Sequence, residues 1–254
     1  MNGQFSTLLR ARAPLCGIFV KTPDYHHAEI AGLAQLDFIV LDAEHAPFST
    51  VQLDQCILGA RAHGLASVVR LDDTAPRAVL QALDMGAAGV LVPHVTSAAQ
   101  ARAVVDWSRY RSGSRGFSNS PRAGGYGARP MVEHIDRSDR EATVLCQIED
   151  HEAVDAINEI ARVDGVDCLF IGRADLAVSY RVFDVEHADV DTAIERIAAA
   201  GRAAGTPVGI FLGDAGGVER YRAMGISFFV IGSDQAILRA GCTRLRTAFA
   251  ATST

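Results

Sequence analysis

Eight short apolar runs punctuate this chain from one end to the other, and segments with helical spacing lie between them. The runs are 17–20, 38–41, 67–69, 89–92, 143–148, 168–171, 208–212 and 228–231. An unbroken apolar run of this length reads as a strand buried on both faces, the habit of parallel sheets. Between them, 53–62, 75–83, 98–107, 154–160 and 194–203 carry apolar residues three and four apart, the period of a helix. Thr50, Thr74, Ser97 and Asp234 stand where N-caps are expected. Strict alternation predicts parallel βα units, and eight of them in 254 residues predict an α/β fold closed into a (β/α)8 TIM barrel. An open doubly wound sheet is the competitor, but no Gly-x-Gly-x-x-Gly follows the first run. Residues 1–254 are expected to form one barrel domain, with 234–254 an extra carboxyl-terminal helix suited to oligomer contacts.

Composition narrows the setting. A net charge of −6 without a basic cluster argues against nucleic acid as a partner. No stretch approaches the roughly 20 apolar residues that span a bilayer, and the first ten residues lack the pattern of a signal peptide. The five cysteines are scattered without a Cys-x-x-Cys, and Cys16, Cys146 and Cys168 sit in apolar runs as expected packed thiols. A cytoplasmic, soluble enzyme is the expectation. From Arg111 to Pro130 the rhythm breaks into a Gly-, Ser- and Arg-rich connection, expected to be an ordered functional loop anchored by Arg115, Arg122 and Tyr126, with a flexible surface excursion as the alternative.

Chemistry collects at the carboxyl ends of the predicted strands, where barrels of this kind place their active sites. The second run ends in Asp42, Glu44 and His45, residues suited to acid–base work or metal binding. The third ends in Arg70, the fourth in Pro93-His94, the fifth in Gln147, Glu149 and Asp150, and the sixth in Gly172-Arg-Ala-Asp175. The amino ends are preceded by ordinary turn residues such as Gly64, Gly165 and Gly205. Glu149 and Asp175, on neighbouring strands, make a site for a hard divalent cation such as Mg²⁺ or Mn²⁺, which favours oxygen ligands. Beside a metal, Arg70 suits an oxyanion or enolate, because its planar fork donates without losing charge. His45 has the proton affinity for transfer near neutrality, with Asp42 placed to orient it. Asp150 should point away from Glu149 and cap the next helix. The amides of Arg173, Ala174 and Asp175 follow Gly172 as a cradle for a carboxylate. Lys21 is the one lysine in the chain, so a Schiff-base mechanism would depend on it alone, leaving the carboxylates and Arg70 idle.

Taken together, Leu41-Asp-Ala-Glu-His-Ala-Pro47, Val68-Val-Arg70, Gly86-Ala-Ala-Gly-Val-Leu-Val-Pro93, Arg115-Gly-Phe-Ser118 with Arg122-Ala123 and Tyr126-Gly127, Gln147-Ile-Glu149 and Gly172-Arg-Ala-Asp-Leu176 resemble a known family. This is the metal-dependent, pyruvate-specific class II aldolases, the 4-hydroxy-2-oxoheptanedioate and 2-dehydro-3-deoxyglucarate aldolases. The resemblance implies that Glu149 and Asp175 bind Mg²⁺, Mn²⁺ or Co²⁺ and that Arg70 stabilises a pyruvate enolate. It implies that His45, with Asp42, moves the proton, while Gln147 contacts pyruvate and Gly172, Ala174 and Asp175 hold its carboxylate. Glu44 would reach a metal-bound water, and Asp84 would approach a neighbouring subunit's site in a homo-hexamer. The partners so implied are a small 2-oxo acid and an aldehyde. Three departures stand out: Arg173 where proline is common, His94 where a non-ionisable side chain is usual, and Ser179-Tyr-Arg181 for a serine-leucine-glycine. Two rival functions remain open. One is a lyase for a larger acid or a coenzyme A thioester entering past Arg115, Arg122 and Arg173. The other is a non-catalytic phosphate-binding barrel using Gly213, Gly216, Gly217 and Gly232.

Overall fold

The computed structural model describes residues 2–252; residues 1, 253 and 254 of the expected domain and terminal helix lie outside them. Eight parallel strands close into a barrel in the order β1 to β8, each paired with its neighbours in sequence. They are β1 Leu15–Val20, β2 Phe38–Asp42, β3 Ala66–Arg70, β4 Gly89–Val92, β5 Thr143–Ile148, β6 Cys168–Ile171, β7 Val208–Leu212 and β8 Phe228–Ser233. Helices cover the outside. The predicted segment 154–160 divides into His151–Asp155 and Ile157–Ile160.

Side chains along a strand alternate between two faces, and here both faces are buried. Ile39, Leu41, Val69, Val90, Leu169 and Ile171 face the helices in one apolar cluster. Phe38, Val40, Val68, Leu91, Leu145 and Phe170 face the barrel axis in another. Phe38 and Phe228 stack inside with ring centroids 4.1 Å apart. Gly17 and Gly209 make room for them, since a Cβ on either would meet a phenyl carbon at 2.6 or 2.7 Å. The amino end is closed by a helix over Asn2–Arg10, whose Phe5 and Leu9 join the axial cluster.

Several caps differ from expectation. Ser49, not Thr50, caps Thr50–Ala62 in a capping box with Gln52. Pro76–Asp84 starts at Ala75 without a side-chain cap, while Ser97 caps Ala98–Ser108 as expected. Ser233 caps the helix Asp234–Ala251. The Asp234 carboxylate instead accepts from the amides of Lys21 and Thr22 at 2.9 and 3.0 Å, tying the end of β1 to β8. Cys146 and Cys168 are buried as expected, but Cys16 is exposed. The 111–130 connection is ordered around a 3-10 turn at Arg122–Gly124. Arg122 donates to Met85 O at 2.7 Å and pairs with Asp54, so this loop is anchored on the helix layer.

Candidate active site

The alternation that builds the axial core also delivers the site. Continuing Phe38 and Val40 by two residues reaches Asp42; continuing Ala66 and Val68 reaches Arg70. By the same step Phe19 leads to Lys21, and Leu145 leads to Gln147 and then Glu149. Of these, Lys21, Arg70 and Gln147 line a cavity of about 200 Å³ at the carboxyl end of the barrel. Phe19, Phe170 and Phe211 form its apolar wall. Lys21, His45, Arg70 and Gln147 line one side, and Gly172 to Asp175 the other.

Asp42 and Arg70 sit opposite each other in the β2–β3 register. Arg70 Nε donates to Asp42 Oδ1 at 3.0 Å and Nη2 to Oδ2 at 2.7 Å, a bidentate pair. Lys21 Nζ adds a contact to Oδ2 at 3.1 Å, and the Phe19 ring lies 4.6 Å from the guanidinium. Burial alone would push the Asp42 carboxyl up. The Arg70 hydrogen bonds and charge, the His45 amide and Lys21 outweigh it and hold the group below its ordinary value.

This corrects one expected contact. Asp42 does not orient the His45 ring; it accepts from the His45 backbone amide at 3.1 Å. The carboxylate nearest the ring is Glu44, whose Oε2 lies 3.8 Å from His45 Nε2 and 3.2 Å from Arg70 Nη1. The physical reason is register: the sheet places Arg70 beside Asp42, and its charged fork takes both carboxylate oxygens.

Glu149 is 1% exposed. Its oxygens accept from the His94 amide at 2.9 Å and from the Gln147 side chain. Its carboxyl is pushed up to about 7, chiefly by burial; those two hydrogen bonds and the His94 charge oppose the shift, and Asp175 adds to it. Glu149, Glu44 and His94 each offer a ligand atom within 4.8 Å of the others. Gln147 Oε1 and Glu44 Oε2 are buried without a hydrogen bond. Two carboxylates and an imidazole this close together fit a divalent cation, whose positive charge would offset the repulsion between the carboxylates. Sequence reasoning paired Glu149 with Asp175. In the structure Asp175 lies on the cavity wall, near enough to disfavour the Glu149 charge but outside the triad.

The remaining predicted residues divide. Gln147, Gly172, Ala174 and Asp175 reach the cavity, and the helix Arg173–Ser179 starts there with Gly172 at its N-cap. Asp84 pairs with Arg115 at 2.7 Å, at the end of Pro76–Asp84, and does not reach the cavity. Asp150 occupies the N-cap position of His151–Asp155 but makes no capping hydrogen bond. Its Oδ2 lies 3.0 Å from His94 Nδ1. Arg173 turns toward Val185 O, at 3.1 Å, and Glu186. Arg115, Arg122 and Arg173, the basic entrance expected for a coenzyme A thioester, are each paired with a carboxylate, and of the three only Arg173 lines the cavity. Gly216 N donates to Asp214 at 2.8 Å, so the glycine-rich turn after β7 presents a carboxylate where a phosphate would sit. His94 and Lys21 are the members of the site to which sequence reasoning gave no role. Their signal is present in the chain: Lys21 shares the parity of Phe19, and His94 follows the Pro that ends β4.

Comparison with known proteins agrees with this geometry. The family model described as HpcH/HpaI aldolase/citrate lyase matches residues 15–240. The chain is 33% identical over 248 residues to the 5-keto-4-deoxy-D-glucarate aldolase of Klebsiella pneumoniae, covering 97% of this chain and 96% of that protein. The Escherichia fergusonii protein of the same name is 34% identical over the same length, with the same coverage. A crystal structure of an HpcH/HpaI family protein from Burkholderia cenocepacia superposes with a TM-score of 0.92 at 32% identity, covering 97% of this chain and 99% of that one. The citrate synthase SbnG superposes at 0.88 with 27% identity, covering 98% of each chain. With a closed barrel, a carboxylate-rich rim and these relatives, the chain belongs to the HpcH/HpaI aldolase/citrate lyase family and is a carbon–carbon lyase of that family.

Proposed function

We propose that the protein is a divalent-metal-dependent aldolase that reversibly cleaves a 4-hydroxy-2-oxo acid into pyruvate and an aldehyde. The observation that carries this is the buried Glu149 carboxylate, near enough to feel the Asp175 charge, beside a cavity lined by Asp175, Arg70 and His45. Glu149 and Asp175 would hold Mg²⁺, Mn²⁺ or Co²⁺, which when bound supplies Lewis-acid polarisation of the 2-oxo group. The first-turn amides of Arg173–Ser179, Ala174 and Asp175 among them, lack helical acceptors and receive the substrate carboxylate. Gln147 positions the 2-oxo acid, and Arg70 offers donors to the oxygen that gains charge. His45 takes the C4 hydroxyl proton at a ring nitrogen, with Glu44 beside it. The C3–C4 bond then breaks, its electrons entering the C2–C3 enolate, and the C4 fragment leaves as the aldehyde. Protonation at C3 completes pyruvate. The three phenylalanines of the wall keep water from that carbon.

The assembly proposed is a homo-hexamer in the cytoplasm. Self-association through the terminal helix is supported by the exposed Ile237, Leu238 and Leu245 along Asp234–Ala251, in which only Asp234 is buried. Among the described residues no helix is long and apolar enough to cross a membrane.

The test is hydrogen–deuterium exchange at the pyruvate methyl group, followed by NMR with and without Mg²⁺ or Mn²⁺, the cation being chelated before each spectrum. Metal-dependent exchange is expected, lost in Asp175→Asn. Undiminished exchange in stringently chelated protein would refute the metal, and no exchange with metal present would refute the enolate.

A further inference from the structure

His94 holds an unusual position. Its φ is +53°, in the left-handed region that side chains other than glycine rarely adopt. That conformation directs its amide to Glu149 Oε1 at 2.9 Å. Its ring lies over the same carboxylate, Nδ1 being 3.5 Å from Glu149 Oε1 and Nε2 3.8 Å from Glu44 Oε1. Two donors each about 2.1 Å from one cation lie between about 3.0 and 4.2 Å apart, and the 3.8 Å between His94 Nε2 and Glu44 Oε1 suits a shared ion.

Asp150 supplies a second, independent observation. It sits at an N-cap position yet caps nothing, and its Oδ2 is 3.0 Å from His94 Nδ1. With the Nδ1 proton donated to Asp150, Nε2 carries the lone pair and faces Glu44. A carboxylate behind a histidine is the arrangement that orients metal-binding imidazoles and raises their basicity. Glu44 turns Oε1 toward this nitrogen while its Oε2 lies 3.2 Å from Arg70 Nη1.

We infer that His94 is a nitrogen ligand to the divalent cation, with Asp150 as its positioning residue, and that it shifts the preference of the site from Mg²⁺ toward Mn²⁺ and Co²⁺. Imidazole suits borderline transition metals, whereas Mg²⁺ favours oxygen. The inference rests on the metal site of the proposed aldolase.

Chelated full-length protein is reloaded with Mn²⁺ and examined by electron spin-echo modulation. Co²⁺ and Mg²⁺ affinities are measured by competition with a fluorescent chelator, for wild type and His94→Asn. Asparagine is chosen because it tolerates the left-handed backbone. Wild type is expected to show a directly coordinated nitrogen that His94→Asn lacks. The variant should lose at least about 10-fold in Co²⁺ affinity and much less for Mg²⁺. Cation bound by wild type without nitrogen coupling, or an unchanged Co²⁺-to-Mg²⁺ ratio in the variant, would overturn the His94 assignment and leave the aldolase reading intact. Wild type that binds no cation would overturn both. The wild-type spectrum decides the point even if the variant folds poorly.

Discussion

Arg70 and Asp42 face each other across adjacent strands as a bidentate pair, 3.0 and 2.7 Å, both buried. The pair fixes the plane of the guanidinium that the proposed reaction uses. Asp42→Asn takes the bidentate counter-charge from a buried cation and leaves it the single Glu44 contact at 3.2 Å, a change at the lower end of the about 3–5 kcal/mol that breaking a buried pair costs. The expected result in urea titration is a loss of that order, together with a fall in turnover. Replacing both partners, Asp42→Leu with Arg70→Met, should recover part of the stability, because the buried pair is removed together while Lys21 and Glu44, which both reach solvent, each lose one partner. It should recover no activity. Activity in the double variant would show that Arg70 does not touch the reacting atoms.

Glu149 and Asp42 make opposite contributions to stability as pH changes. Glu149 in the metal-free protein has its carboxyl raised to about 7, against about 4.3 in an unfolded chain. Its contribution is therefore fully present below the unfolded value and is lost as pH rises through about 7. His94 adds to the same slope: partial burial works against its charge, but the Asp150 hydrogen bond and the charges of Glu149, Asp150 and Glu44 raise its affinity for a proton. Asp42, held below its ordinary value, contributes above the unfolded pKa and loses that contribution as pH falls. Chelated protein should lose on the order of 2 kcal/mol between pH 5 and pH 8. Glu149→Gln should flatten that slope in urea titrations. Cation affinity should climb to about pH 7 and then level off, since proton and metal compete for Glu149.

The barrel and most of its rim are legible in the sequence, because both follow from local rules. Apolar runs mark strands, and residues two apart share a face, so Asp42, Arg70, Gln147 and Glu149 can be placed inside together. Contacts between strands are another matter. Asp42 is three residues from His45 and far in sequence from Arg70, yet the β2–β3 register gives its carboxylate to Arg70. Asp150 and Asp234 each look like helix caps locally; their actual partners, His94 and the Lys21 and Thr22 amides, come from other strands. The turn of the His94 amide toward Glu149 depends on a left-handed backbone that no local pattern announces. The plug at Asn2–Arg10 is absent from the elements expected from the sequence, although Phe5, Leu8 and Leu9 are spaced as on one face of a helix.

Gly172 separates the cation site from the start of Arg173–Ser179. A Cβ there would stand 2.8 Å from Glu149 Oε2, 2.9 Å from Glu149 Cβ and 3.2 Å from Gln147 Nε2. Its φ of −95° is open to any residue, so Gly172→Ala introduces crowding and not backbone strain. Overpacking of this kind costs about 1–3 kcal/mol. Its effect should fall on Glu149: cation affinity, measured by dialysis, should drop more than the melting temperature predicts. A variant with unchanged affinity would place the cation away from Glu149.

Lys21, the one lysine of the chain, decides between a Schiff base and an enolate formed without one. Its Nζ lies 3.1 Å from Asp42 Oδ2, where it balances a buried carboxylate already paired with Arg70. Attack on a carbonyl requires a free amine with its lone pair turned to the substrate, and the Asp42 contact competes for that orientation. Borohydride added to protein and pyruvate should therefore leave intact mass unchanged. Lys21→Arg keeps a cation beside Asp42 and should retain measurable metal-dependent proton exchange of pyruvate, which no Schiff-base enzyme lacking its lysine could do. A pyruvate adduct trapped on Lys21 would reverse the mechanism, moving the electron sink from the carboxylate-rich side of the cavity to the end of β1.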